Sequence, residues 1–183
     1  MNTRPNNTTN FGFTGRTEYL VFGDWKAADD FTSVGVKTDT LVLGAAVDAT
    51  QSGDTTAYRH TADLTYKLSG GLSLFASFGG NYSTDVATGT GASAVVDDTY
   101  TWGGVAQVSY LIPETKWEPF GRYTFIALDD PSASPARGDQ LSEITVGVNY
   151  YFAGQSAKVT VDLGYLPEGS PTSADGAAVL QNE

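Results

Sequence analysis

The sequence predicts an all-β chain, an antiparallel up-and-down β-barrel whose strands are long enough to cross a lipid bilayer. Three observations carry this. The chain falls into segments of about ten residues, rich in Val, Thr, Tyr and Phe and separated by turn residues. Along the last six segments the charged residues keep to one face. The connections alternate between short and long, as in membrane barrels with short turns at one end and longer loops at the other.

The elements follow in order. Residues 1–15 are polar and Asn/Thr-rich and read as a loop or frayed N-terminus. Strands are predicted at 16–25, 40–49, 58–68, 72–82, 100–112, 117–127, 142–152 and 157–166. The one helical turn is expected around Lys26 to Phe31. Ser69-Gly70-Gly71, Pro113-Glu114-Thr115-Lys116 and Ala153-Gly154-Gln155-Ser156 are short turns. Longer loops are expected at 50–57, 83–99 and 128–141, and residues 167–183 read as an outer loop with the closing strand missing. The 26–39 connection breaks the rhythm, because its place in the alternation calls for a short turn. The whole chain, 1–183, reads as a single partial barrel domain of about eight strands.

Successive side chains of a strand point to opposite faces. In the last six strands one face collects 35 positions without a single Asp, Glu, Lys or Arg. The opposite face has 30 positions, eight of them charged: Arg59, Asp63, Lys67, Glu118, Arg122, Glu143, Lys158 and Asp162. Most of the rest are Thr, Ser, Gly, Gln or Asn. A charge on a barrel's lipid face costs roughly 2–4 kcal/mol at the bilayer midplane, so an uncharged face is what lipid contact selects. The eight charged residues are the pore-lining candidates. A soluble sandwich alternates too, with its apolar face turned inward. Strand length favours the membrane, since bilayer-crossing strands need about 9–11 residues and ordinary strands have about 5–6. Aromatics also gather at strand ends. Tyr66, Tyr110, Trp117, Tyr150 and Phe152 fall near the short turns, and Tyr58, Trp102, Phe125 and Tyr165 near the long loops. Two such bands match the girdles of membrane barrels.

Composition narrows the function. Charged residues are only 17% of the 183, aromatics 12%, and there are 21 Gly. The chain is too apolar and aromatic to be disordered. A net charge of -11 leaves no basic footprint for nucleic acid. With no cysteine there is no disulfide, thiolate metal site or Cys nucleophile. The single histidine, His60, has no place in a Ser–His–acid arrangement, so no enzyme activity and no cofactor are expected. No run approaches the roughly 20 apolar residues of a spanning helix. The first ten residues lack the apolar core of a signal peptide.

The segment Glu143-Ile144-Thr145-Val146-Gly147-Val148-Asn149-Tyr150-Tyr151-Phe152, with a short turn and Lys158-Val159-Thr160-Val161-Asp162-Leu163-Gly164-Tyr165, resembles the penultimate hairpin of the phosphate-selective porin O and P family. Trp117-Glu118-Pro119-Phe120-Gly121-Arg122-Tyr123 resembles that family's recurring strand opening after a short turn, and Leu41 to Val47 also fits. The resemblance covers most of residues 16–166. It implies a 16-stranded, homotrimeric channel in the Gram-negative outer membrane, of which this chain is the C-terminal half, its signal peptide lost with the other half. It also implies passive diffusion of small hydrophilic solutes or ions, anions such as phosphate among them. The lumen candidates depart from that pattern: four basic residues face four acidic ones, with no positive excess. Two other readings stand beside this one. One is an eight-stranded non-channel barrel serving as anchor or binding protein, since eight strands leave room only for side chains. The other is a soluble β-sandwich binding module.

The remaining motifs have bland readings. His60 sits on the apolar face near an interface, where an amphipathic ring is tolerated. Asp48, Asp54, Asp97-Asp98 and Asp129-Asp130 read as solvated loop acids without calcium-loop spacing. Arg137-Gly138-Asp139 and Gly89-Thr90-Gly91 read as chance, the latter lacking the strand–helix context of a phosphate loop. Carboxylate pairs such as Asp63 with Glu118 are of the type that serves acid–base chemistry, and a lumen charge network explains them better.

Overall fold

In the computed structural model, residues 9–88, 95–128, 140–167 and 177–182 are described, with the backbone alone at 9, 85–88, 95–97 and 177–182. Among the described residues nine antiparallel strands form one sheet in strict sequence order. They are β1 Thr9–Phe22, β2 Thr40–Ser52, β3 Thr55–Lys67, β4 Leu72–Thr88, β5 Val95–Tyr110, β6 Trp117–Ala127, β7 Gln140–Tyr151, β8 Lys158–Leu166 and β9 Ala177–Asn182. The one helical element among the described residues is a 3-10 turn at Trp25–Ala28, capped by the Asp24 carboxylate, which accepts from the Lys26 N–H. No second sheet packs on the first among the described residues.

Strand identity follows the prediction, and several ends do not. β1 starts at Thr9, inside the stretch expected to be loop, because its alternation extends back through Phe13 and Phe11. The loop expected at 50–57 is a two-residue turn, Gly53-Asp54, with Gly53 at φ +62. That left-handed conformation suits Gly in a tight hairpin. The loop expected at 83–99 shrinks because β4 and β5 stay paired out to Thr88 opposite Val95. The tail read as an outer loop holds a ninth strand, β9, paired with β8 from Leu166↔Ala177 to Val161↔Asn182. Residues 89–91, 129–130 and 137–139 lie outside the described residues.

The two faces divide as the alternation predicts. Among the described residues the fully covered side chains are mostly polar: Thr40, Lys67, Ser73, Ser109, Glu118 and Thr145 are all at most 3% exposed. Val42 and Tyr151 are the only buried hydrophobic residues among them. The opposite face is open. Tyr19 is 67% exposed, Val146 54% and Val161 51%. The sheet is therefore polar inside and apolar outside, the reverse of a soluble domain, where Leu, Ile and Val are most often buried and Lys and Glu almost never.

The polar face is concave, and the 23–39 connection lies in its hollow. Phe31 packs on Phe75 of β4 with ring centroids 4.6 Å apart. The Ser33 hydroxyl donates to the Leu72 carbonyl at 2.8 Å, and the Ser73 hydroxyl to the Phe31 carbonyl at 3.0 Å. On the far side, the Gln155 amide in the β7–β8 turn donates to the Thr32 hydroxyl, across 123 residues of sequence. That contact joins the β3–β4 region to the β7–β8 turn, which requires a curled sheet. The connection that breaks the short-turn rhythm is thus an inward-folded segment.

Candidate functional site

The polar face carries the candidate site, and its geometry starts from the strand register. Asp63 on β3 lies opposite Gly44 on β2, and Ala46 on β2 lies opposite Arg16 on β1. Arg16 therefore reaches over β2 to Asp63, with its two terminal nitrogens 2.7 and 3.0 Å from the two carboxylate oxygens. This forked geometry is the strong form of an ion pair. Gly44 makes it possible: a Cβ there would sit 2.6 Å from the Arg16 guanidinium and closer still to the Asp63 carboxylate. Arg16 also donates to Glu18 at 2.7 Å. Toward the Gly53-Asp54 turn, Arg59 donates to Asp48 at 2.7 Å. Asp48 is thus a polar-face residue of β2 and not the loop acid expected from the sequence.

Lys67, the last residue of β3, is fully buried under the inward segment, and its ammonium meets Asp30 at 2.9 Å. The root of the segment is closed separately. The Asp24 N–H donates to the Thr40 hydroxyl at 3.1 Å. The Ser69 N–H and hydroxyl both donate to Asp39 at 2.8 Å. Those two donors hold the Asp39 carboxyl below its usual range.

Glu118 forms the second centre, also fully buried. Ser109 on β5 donates to it at 2.7 Å, Asn149 on β7 at 3.2 Å, and the Tyr151 hydroxyl completes the set. Thr160 on β8 donates to Asn149 at 2.7 Å, so one polar chain crosses four strands. A buried carboxylate is tolerable because donors surround it. Glu143 accepts from Thr145 at 2.8 Å. Arg122 and Lys158 make no ion pair among the described residues, and one oxygen of Asp162 is buried without a partner there. All eight candidates therefore fall on the polar face. Asp63 and Glu118 do not form a carboxylate pair, for each has its own separate partners.

Between the inward segment and the sheet is a cavity of about 560 Å³, lined by Arg16, Glu18, Trp25, Asp30, Asp63 and Phe75 among others. Arg16, Glu18, Asp48 and Asp30 were missed as site residues. For the first three the signal was present, since the period-2 split extends to β1 and β2 and puts them on the charged face. For Asp30 the only signal was the misplaced length of its connection.

The aromatic candidates lie on the outer face. Trp117 packs on Tyr150 with centroids 4.6 Å apart, and Tyr150 on Phe152 at 4.9 Å, all near the short turns. Tyr66 meets Phe22 at 6.3 Å on the same side, and Tyr110 ends β5 there, exposed. Nearer the opposite end, Tyr58 stacks on Tyr82 at 6.5 Å and Trp102 meets Phe125 at 5.1 Å. Tyr165 lies one residue from the end of β8, exposed. His60 joins this second band, stacked on Tyr100 at 6.0 Å over Gly80.

Comparison with protein-family models, with curated proteins and with solved structures gives no match.

Proposed function

We propose that the chain is part of the wall of an outer-membrane pore of the porin class, through which small hydrophilic solutes or ions diffuse down their gradients. One observation carries the reading: among the described residues nearly every buried side chain is polar, Lys67 and Glu118 included, while the large aliphatic and aromatic side chains of the other face stand exposed. Water against the polar face and lipid against the apolar one satisfy both. Backbone accounting points the same way, since a sheet can sit in lipid only when its edges are paired. In this meander β1 and β9 both run toward the short-turn end, so joining them would make a parallel seam. Single-chain bacterial outer-membrane barrels have an even number of antiparallel strands. Closure therefore takes further antiparallel strands, and the wall belongs to a barrel wider than nine. The resemblance to the phosphate-selective porin O and P family supports the same class.

The mechanism is electrostatic filtering in a wet lumen. Paired charges on facing strands set up transverse fields, and the hydroxyl-rich wall replaces part of a solute's hydration. Arg16, Arg59 and Lys67 are each bound to a carboxylate, Arg122 and Lys158 make no ion pair among the described residues, and the eight candidates balance at four basic against four acidic. The reading therefore assigns no phosphate preference to this part of the wall. The filled hollow under β3 and β4 favours one second reading, a plugged barrel that anchors or binds without conducting. Planar-bilayer recording with the protein in its natural full form separates them. Stepwise conductance is expected for a pore. A sealed bilayer, with the protein shown to be inserted, would reject the pore reading.

A further inference from the structure

We propose that the cavity between the inward segment and the sheet is a binding site for a small organic cation, an alkylated ammonium, held by the rings of Trp25, Phe31 and Phe75 and the carboxylates of Glu18, Asp29 and Asp63. The proposal goes beyond the pore reading and needs only that water reaches the polar face.

Charge selects the sign of the ligand. Four carboxylates line the cavity, those of Glu18, Asp29, Asp30 and Asp63, against the single guanidinium of Arg16. Arg16 is shared between Glu18 and Asp63, and Asp30 is taken by Lys67. Two negative charges are therefore left without a cation, and Asp29 makes no ion pair among the described residues. Lys26 and Lys37, also on the segment, line a neighbouring hollow and not this one.

The rings select an organic ligand. Carboxylates alone would describe any wet wall, whereas most of the exposed aromatic side chains stand on the outer face. Trp25 and Phe31 depart from that pattern. They are 47% and 52% exposed and line the cavity, with Phe75 beside Phe31 at a centroid distance of 4.6 Å. An aromatic face left in water gains from being covered by an apolar body, and its negative quadrupole attracts a positive one. An alkylated ammonium answers both demands, its methyl groups meeting the rings and its charge the unmatched carboxylates. Phosphate meets repulsion from the same charges. A bare divalent ion needs a dense shell of oxygen ligands, and no group of His, Asp and Glu among the described residues is placed to hold one. The size also suits: about 560 Å³ lies within the roughly 300–1,000 Å³ of small-molecule sites.

The test is binding of tetramethylammonium to the protein in its natural full form, held in detergent micelles and followed by titration calorimetry at constant ionic strength. Saturable binding with a dissociation constant on the order of 1 mM is expected for a ligand of so few atoms. Trp25→Ala is expected to weaken it about fivefold, and Trp25→Phe, which keeps a ring, by less than about twofold. Asp29→Asn is expected to weaken it about threefold. Trp117→Ala, on the outer face, is expected to leave it unchanged. Trp25 and Asp29 are both exposed, so neither substitution opens a hole in the fold. Absence of saturable binding in the wild type overturns the inference. So does binding that is unchanged in both Trp25→Ala and Asp29→Asn, or an equal affinity for glucose or inorganic phosphate. Stepwise conductance in planar bilayers without tetramethylammonium binding removes the inference and leaves the pore reading standing. Binding by a protein that inserts without conducting does the reverse.

Discussion

Glu118 shows what an inverted fold asks of a single residue. Its carboxylate is fully buried and accepts from Ser109, Asn149 and Tyr151. Glu118→Leu strands all three donors in a covered site and is expected to cost roughly 3 kcal/mol in a urea titration of the micelle-bound protein. Glu118→Gln keeps an acceptor oxygen and is expected to cost about 1 kcal/mol on the same scale. Gly44 is the converse case, a position where absence of a side chain is the function. Gly44→Leu pushes Arg16 off Asp63, and a double-mutant cycle on that pair is expected to lose its coupling. Asp39 gives a pH signature. Its folded pKa lies below the ordinary carboxylate value because Ser69 donates to it twice. Its contribution is thus complete at neutral pH and fades as acid carries the pH below the ordinary value and through the lowered one. Asp39→Asn is expected to flatten that acid limb of the stability curve and to leave its slope near neutral pH unchanged.

Elements test the two faces. On β7, Val146 is 54% exposed on the outer face. Val146→Arg is expected to lower the stability of the bilayer-inserted protein by about 2–4 kcal/mol, as a charge held toward the hydrocarbon does. On a water-exposed surface the same change would stay within about 0.5 kcal/mol. The elements also show what was legible from sequence. β6 occupies Trp117–Ala127 as predicted, and β7 and β8 fall within two residues of their predicted ends, because alternation and turn residues agree there. Failures came where local chemistry and pairing diverge. Thr9, Gly12, Thr14 and Gly15, with Gln51, Ser52, Thr55 and Thr56, read as loop, yet each finds a cross-strand partner. Pairing of that kind is a long-range fact. The inward segment was harder still: Asp30 and Phe31 look like surface loop, and only the tertiary partners Lys67 and Phe75 give them a place.

For the whole molecule, the -11 charge and the 40% apolar fraction find separate places. The apolar residues cover the outside, while Glu18, Asp63, Asp48 and Asp30 meet Arg16, Arg59 or Lys67 on the polar side, and Glu118 and Glu143 accept from hydroxyl and amide donors there. Charge on that face could be assigned from period alone. Its pairing could not, because Arg16 meets Asp63 over an intervening strand. The central claim is that lipid meets the apolar face and not the polar one. With no native cysteine, single cysteines at Val161 and at Asp162 on β8 can each carry an environment-sensitive fluorophore. Quenching by lipids brominated on their acyl chains, in vesicles holding the protein, reads contact with hydrocarbon directly. The account predicts strong quenching at position 161 and little at 162. Equal weak quenching at both, or folding of the chain in buffer with position 161 shielded by protein, would contradict it.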